Sequence, residues 1–159
     1  MRAYIVNRQI DELRSTLFRQ TMFAEFEKII HVIEETGDAL TLDVFKSEYH
    51  KLLETYFAEN FVLDPELDLE CLRIPHFYHA FYVYKYATGI SAAVALSQRV
   101  LSGESECVHA YHDFLRSGGS KFPLETLKAA GVDMATPAPI ESTLRLFEQR
   151  LDELEELLL

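Results

Sequence analysis

The sequence predicts an all-α protein, a multi-helix bundle, on three observations. Apolar residues recur at spacings of three and four along most of the 159 residues. The breaks between these periodic stretches carry Gly or Pro where helices stop and start. No stretch alternates apolar and polar residues over the length of a strand.

The first helix is expected over about residues 7–35, from Ile10, Leu13, Leu17 and Phe18 through Met22, Phe26, Ile29, Ile30 and Ile33, with Gly37 just past its end. A second starts at Thr41, a favourable N-cap, and places Leu42, Phe45, Tyr49, Leu52, Leu53 and Tyr56 on one side. Residues 61–73, with Asp64-Pro65, read as a connector. A third helix is expected from Pro75, whose fixed φ suits a first helical position, through the Tyr-rich stretch to about Leu101. On it His76, Ala80 and Tyr84 would form one column, and Tyr78, Tyr82 and Tyr86 a second. Gly89 and the small residues after it would admit a neighbouring helix closely. Gly103 ends this element, and a further helix covers 104–116 up to the break Ser117-Gly118-Gly119-Ser120. Pro123 opens a short helix closed by Gly131, and Pro137 and Pro139 bound a loop. The last helix carries Ile140, Leu144, Phe147, Leu151, Leu154 and Leu158, a heptad-like stripe shorter than the ~3–4 heptads of a coiled coil. One helix docking on a bundle is the expected arrangement.

A chain of this length supports one domain with a genuine core and is short for two, so a single helical domain over 1–159 is expected. The net charge of −11 argues against partners with anionic backbones or surfaces, so neither nucleic acid nor membrane is expected. No apolar run reaches the ~20 residues that cross a bilayer, and the N-terminal residues hold no secretory h-region. Cys71 and Cys107, without such a signal, fit a reducing cytoplasm, which is the expected location.

Candidate chemistry is sparse. A helical zinc hydrolase carries His-Glu-x-x-His, which puts two imidazoles on one helix face with the glutamate as base. None of the histidines at 31, 50, 76, 79, 109 and 112 is followed by Glu. A di-iron bundle needs two Glu-x-x-His motifs and two further glutamates; Glu106-Cys-Val-His109 supplies one. His109, His112 and Glu106 are therefore read as a solvated helix face rather than a metal site, and His31 with Glu34 and Glu35 as an exposed helix end. Gly89-Ile-Ser91 is no nucleophile elbow, and residues 117–120 lack the Lys-Ser/Thr of a phosphate loop. The cysteines have no activating neighbours in sequence. The concentration of Tyr, Phe and His over 74–89 remains, and its pattern fits equally a polar binding surface and an aromatic core with hydroxyls bonded to carbonyls.

Five stretches carry a resemblance: Leu17-Phe-Arg-Gln-Thr-Met-Phe-Ala-Glu-Phe-Glu27, Arg73-Ile-Pro-His-Phe-Tyr78, Phe81-Tyr-Val-Tyr-Lys-Tyr-Ala-Thr-Gly89, Phe114-Leu-Arg-Ser-Gly-Gly-Ser120 and Ala130-Gly-Val-Asp-Met134. In this order, over essentially the whole chain, they resemble the C-terminal part of oligoendopeptidase F, in the thimet-oligopeptidase-like family of zinc metallopeptidases. The resemblance implies a largely helical fold around a deep substrate channel. It also implies that the His-Glu-x-x-His helix and the third zinc ligand belong to a catalytic half upstream of the residues here. This chain would then hold no zinc, the cofactor being expected only with that half. The segment matching 76–86 would face the zinc across the channel. His76 matches the histidine of Ile-Pro-His-Phe-Tyr, and Tyr82 and Tyr84 match the Tyr-x-Tyr pair that follows. On this resemblance Tyr84 donates to the oxyanion and His76 to a substrate carbonyl, with Tyr78 and Tyr82 binding the oligopeptide. At Cys71 many members carry tryptophan, so the packing behind the segment is expected to be looser here. The chain alone is expected to be inactive, with the missing N-terminal half or a second copy, as a homodimer, covering its open apolar wall. The alternative is a non-catalytic helical module that binds peptides or a partner and self-associates.

Overall fold

The computed structural model describes residues 1–57, 59 and 61–159. Among these the chain forms seven α-helices and no strand: α1 (Arg2–Leu13), α2 (Arg19–Glu35), α3 (Leu42–Phe57), α4 (Tyr84–Leu101), α5 (Ser105–Ser117), α6 (Pro123–Ala129) and α7 (Ala138–Leu158). A π-helical turn, Arg14–Phe18, lies between α1 and α2, inside what the periodicity reads as one uniform helix. Two 3-10 segments, Pro65–Arg73 and Pro75–Tyr78, precede α4. The all-α expectation holds. The backbone divides into two compact units, Phe18–Lys85 and the pair of segments Met1–Leu17 and Tyr86–Leu159.

In the Phe18–Lys85 unit, α2 packs on α3, and α3 on the first 3-10 segment. Thr41 caps α3, its Oγ1 accepting the Val44 N–H at 3.3 Å. The core is aromatic. Phe26, fully buried, meets Phe45, Tyr49 and Phe77 at centroid distances of 5.9, 5.2 and 5.6 Å, and Phe23 meets Phe77 at 5.8 Å. Leu52, Leu53 and Cys71 complete it. The expected connector winds into a 3-10 segment because Asp64 accepts the Glu66 N–H at 3.1 Å and Pro65 supplies a preset φ.

In the other unit α1 lies along α7 and turns Val6, Ile10 and Leu13 inward, at helical spacing. Arg2 pairs with Glu153 at 2.7 Å, and this guanidinium first, then Arg150, holds the Glu153 carboxyl below its ordinary range. The α7 stripe read from sequence is only partly the packing face. Ile140, Leu144, Leu151 and Leu158 stay exposed, while Pro139 and Thr143 are buried and Leu146, Phe147, Arg150 and Leu154 half-buried. The helix is turned by about one position, ~100°, because Thr143 can enter the interior with its hydroxyl bonded to the Pro139 carbonyl at 2.9 Å. Pro139 starts α7 rather than bounding a loop, since its missing N–H is not needed in the first turn.

Ala92 and Leu96 of α4 form a core with Ala130 and Val132, flanked by Tyr111, Phe114 and Leu127. Of the small residues of α4, Ala92 packs among α5 and α6 side chains, while Gly89 faces open space. Beyond its own helix backbone and chain neighbours, no atom of the described residues comes within 4 Å of where a Gly89 Cβ would lie, and Gly89, Ala92 and Ala93 line an apolar cavity of about 900 Å³ with Leu96, Phe114 and Leu127. Gly131 has φ +84°, and a Cβ there would run into the Arg99 guanidinium, whose Nε donates to the Ala130 carbonyl at 3.1 Å.

Gly131→Ala and Gly37→Ala separate these two costs. Both force an alanine into the left-handed region, but the Cβ at Gly37 (φ +88°) meets open space. Gly131→Ala is expected to lower stability by about 1 kcal/mol more than Gly37→Ala, the worth of the Arg99 hydrogen bond it displaces; equal unfolding midpoints in urea would refute the clash.

Candidate functional site

The sequence-predicted site residues His76, Tyr78, Tyr82 and Tyr84 lie in the Phe18–Lys85 unit. The path to them begins with a buried charge. Glu70, on the inner side of the first 3-10 segment, accepts hydrogen bonds from Arg19, from Arg73 at 3.4 Å and from the Tyr49 hydroxyl at 2.7 Å. Burial first, then the hydrogen bond to the Glu70 carboxylate, pushes the Tyr49 phenol far above its ordinary value, so it remains a donor. Burial likewise pushes the Cys71 thiol up to about 11. Cys71 and Cys107 are both free and buried, as their surroundings in sequence suggest.

Beyond Arg73 the backbone departs from the sequence reading. Ile74 is extended (ψ 106°), as a residue before proline tends to be, and Pro75–Tyr78 makes one 3-10 turn. Residues 79–83 are not helical, and α4 starts only at Tyr84. The expected columns His76–Ala80–Tyr84 and Tyr78–Tyr82–Tyr86 therefore do not exist. Two tertiary contacts outweigh helix continuation. Phe77 is drawn between Phe23 and Phe26, and the Phe81 N–H donates to Glu27 Oε1 at 2.6 Å. Phe81 adopts φ +57°, the one non-glycine among the described residues in the left-handed region.

This turned path places the predicted residues as follows. His76 is half-buried, and its ring stacks on Tyr82 at 5.7 Å with an interplanar angle of 18°. The Lys85 ammonium sits over the other partner of that stack, 5.4 Å from the Tyr82 centroid. Tyr84 opens α4 with its side chain about half exposed, and Tyr78 projects into solvent at 83% exposure. His76, Tyr82 and Lys85 are thus brought together; Tyr78 stands apart from them. The arrangement offers imidazole and phenol groups at an accessible surface, on a backbone held from behind by aromatic packing.

Two residues to which sequence reasoning gave no role in the site, Glu27 and His31, hold this segment through Phe81. His31 is not an exposed helix end. Its ring packs on Phe81 at 4.6 Å and its Nδ1–H donates to the Glu27 carbonyl at 2.7 Å. The signal for Glu27 was present in the sequence, since it falls on the apolar stripe of α2 between Phe23, Phe26 and Ile30. At the other end of the chain, His109 is exposed and its Nδ1–H donates to the Ser105 carbonyl at 2.6 Å. Among the described residues no group of three or more His, Cys, Asp or Glu side chains could hold a metal ion, Glu106, His109 and His112 included. No described helix is long and apolar enough to cross a membrane.

Comparison with known proteins gives this helical, His- and Tyr-bearing chain its class, that of the peptidases. Residues 1–146 match peptidase family M3, and the chain belongs to that family. It is 49% identical to oligopeptidase PepF of Bacillus subtilis over 99% of its own length and 45% identical to an oligoendopeptidase F homologue of Borreliella burgdorferi over 97%. The crystal structure of oligoendopeptidase-F from Enterococcus faecium superposes with a TM-score of 0.95 at 46% identity over 99% of the chain. The chain spans 24% and 26% of those two curated relatives and 30% of that solved chain, about a quarter to a third of their length.

One ionisable contact anchors α3 to the first 3-10 segment. His50 bonds Asp68 at 2.8 Å, and that bond, ahead of the nearby Glu54 carboxylate, raises the imidazole above its ordinary 6.5. A histidine raised on folding contributes stability that is complete below pH 6.5 and is lost as pH climbs through the folded value. The urea midpoint is therefore expected to decline as pH rises above 6.5, and the decline to be shallower in His50→Gln; parallel profiles would remove this contact from the pH dependence.

Proposed function

We propose that this chain is the substrate-binding and oxyanion-stabilising part of a zinc metalloendopeptidase acting on oligopeptides, and that it is inert without the rest of that catalytic domain. The observation that carries the reading is the exposure of the Tyr-rich segment. Tyr78, Tyr82 and Tyr84 keep their rings largely or half open to solvent, whereas Phe77 is half-buried against Phe23 and Phe26. A self-contained aromatic core would have sequestered the phenols with their partners. The residues present do not fit zinc, since no described cluster could ligate it. The metal and the water it activates would come from residues supplied by the remainder of a family-length enzyme.

Within this reading each residue has a distinct task. His76 donates an imidazole N–H to a carbonyl of the bound peptide, its ring plane fixed by Tyr82. Tyr84 donates its phenolic hydrogen to the oxygen that gains charge as water adds to the scissile carbonyl. Tyr78 and Tyr82 contact the peptide on either side. The two free buried cysteines support a reducing, cytoplasmic setting. A second reading, a non-catalytic module that self-associates, is favoured by the apolar cavity beside α4, which is open in the isolated chain. A second copy would cover it, and sedimentation velocity is expected to show a homodimer; a monomer at high concentration removes this reading.

The catalytic reading makes a sharper prediction. The chain with zinc and a quenched fluorogenic oligopeptide is expected to show no turnover. Cleavage is expected once the His-Glu-x-x-His-bearing segment of a close relative is added in trans or fused. In that reconstituted enzyme Tyr84→Phe is expected to lower kcat by ~10²–10³ with little change in KM, while Tyr4→Phe, on the exposed side of α1, leaves both unchanged. Chelator-sensitive cleavage by the chain alone, or similar losses in both variants, would overturn the assignment.

A further inference from the structure

We infer that Glu27 is a positioning residue for the peptide-binding segment: its buried carboxylate, by holding the Phe81 N–H, keeps residues 79–83 in the turned backbone that lays Tyr82 on His76. The functional half of this rests on the reading above; the structural half does not.

Glu27 lies in the middle of α2 at 1% exposure. A carboxylate so placed is costly unless donors meet it, and the donor here is a main-chain N–H 54 residues away, at 2.6 Å. A bond from an amide to an ionised carboxylate is stronger than one between neutral groups. That strength has something to oppose. Phe81 holds φ +57°, a conformation that costs a residue with a Cβ of order 1–3 kcal/mol. Burial of its ring does not offset this, because the ring is 51% exposed.

The second grip comes from one helical turn further along α2. His31 is at i+4 from Glu27 and so on the same face. Its orientation is locked by its Nδ1–H to the Glu27 carbonyl at 2.7 Å, and its ring lies 4.6 Å from that of Phe81. The face of α2 therefore holds Phe81 twice, by its peptide and by its ring. Tyr82 is the next residue in the chain. A relaxation of Phe81 to negative φ would swing the Tyr82 ring away from His76, and would move the start of α4 relative to the 3-10 turn that carries His76.

Assigned NMR spectra of the full chain test this with two probes, the Phe81 amide and the ring-current shifts of the His76 imidazole protons under Tyr82. In Glu27→Met, which removes the acceptor, the Phe81 amide is expected to move upfield and exchange about 10- to 100-fold faster, and the His76 shifts to collapse toward random-coil values. Phe81→Gly in the Glu27→Met background is expected to restore the His76 shifts, because glycine adopts positive φ freely. A role in core packing alone predicts no such rescue. If Glu27→Met does not fold, Glu27→Gln keeps an oxygen but loses the charge, and is expected to retain the His76 shifts with a weakened Phe81 amide. Unchanged His76 shifts in folded Glu27→Met, or failure of the glycine rescue, would overturn the inference. Titration with the peptide Ala-Ala-Phe-Ala-Ala distinguishes its two halves. Lost His76 shifts with unaltered peptide affinity would leave Glu27 as the holder of the turn and remove the segment from peptide binding.

Discussion

A carboxylate taken out of water has to find its donors where it is buried, and in the Phe18–Lys85 unit that requirement fixes the backbone. Glu70 finds two guanidinium groups and a phenol, from Arg19, Arg73 and Tyr49, so one side chain ties α2, α3 and the first 3-10 segment to a common point. Glu27 finds a peptide N–H instead. Breaking either set would leave an uncompensated buried charge, which is more damaging than an equal loss of apolar contact. The chain between these two anchors, including His76, has little freedom left.

The competition at residues 74–83 can be weighed. Fully burying a phenylalanine is worth roughly 1.5–3 kcal/mol; Phe77, half-buried, gains part of that together with aromatic contacts at 5.8 and 5.6 Å. Continuing the helix from Pro75 would bring backbone hydrogen bonds worth a net ~1 kcal/mol each, but would carry Phe77 away from Phe23 and Phe26 and strip Glu27 of the Phe81 amide. Intrinsic preference loses because it is local and the opposing contacts are not. A π turn also interrupts the periodic helix at 14–18.

The distance of the partner also explains how much was legible beforehand. Features written in neighbouring residues were readable: the Thr41 cap, the proline start of α6, and the glycine at positive φ after it. The all-α class and most helix bounds follow from such signals. The break before α4 was not readable, because its cause is Glu27, on another helix. The rotation of α7 was hidden for a related reason. A stripe of leucines marks where a helix is apolar, whereas the buried face was decided by Thr143 and its bond to Pro139. Of the site, the residue types were visible and their grouping was not. His76 meets Tyr82 through a tight turn, not Tyr84 along a helix. His31, read from sequence with Glu34 and Glu35 as an exposed helix end, is part of the support.

The distribution of hydroxyls bears on what the segment is for. Along 76–84 only Val83 is fully buried, while His76 and Phe77 are half-buried. The outward positions include Tyr78, Tyr82 and Tyr84. The phenol that is buried, Tyr49, has Glu70 dedicated to it. On the proposed reading, phenols kept at the surface, on a backbone strained at Phe81 and gripped by a buried carboxylate, would offer a peptide's carbonyl groups donors held in place before the ligand arrives. Strain retained at one residue and polarity retained at its neighbours point to the same surface.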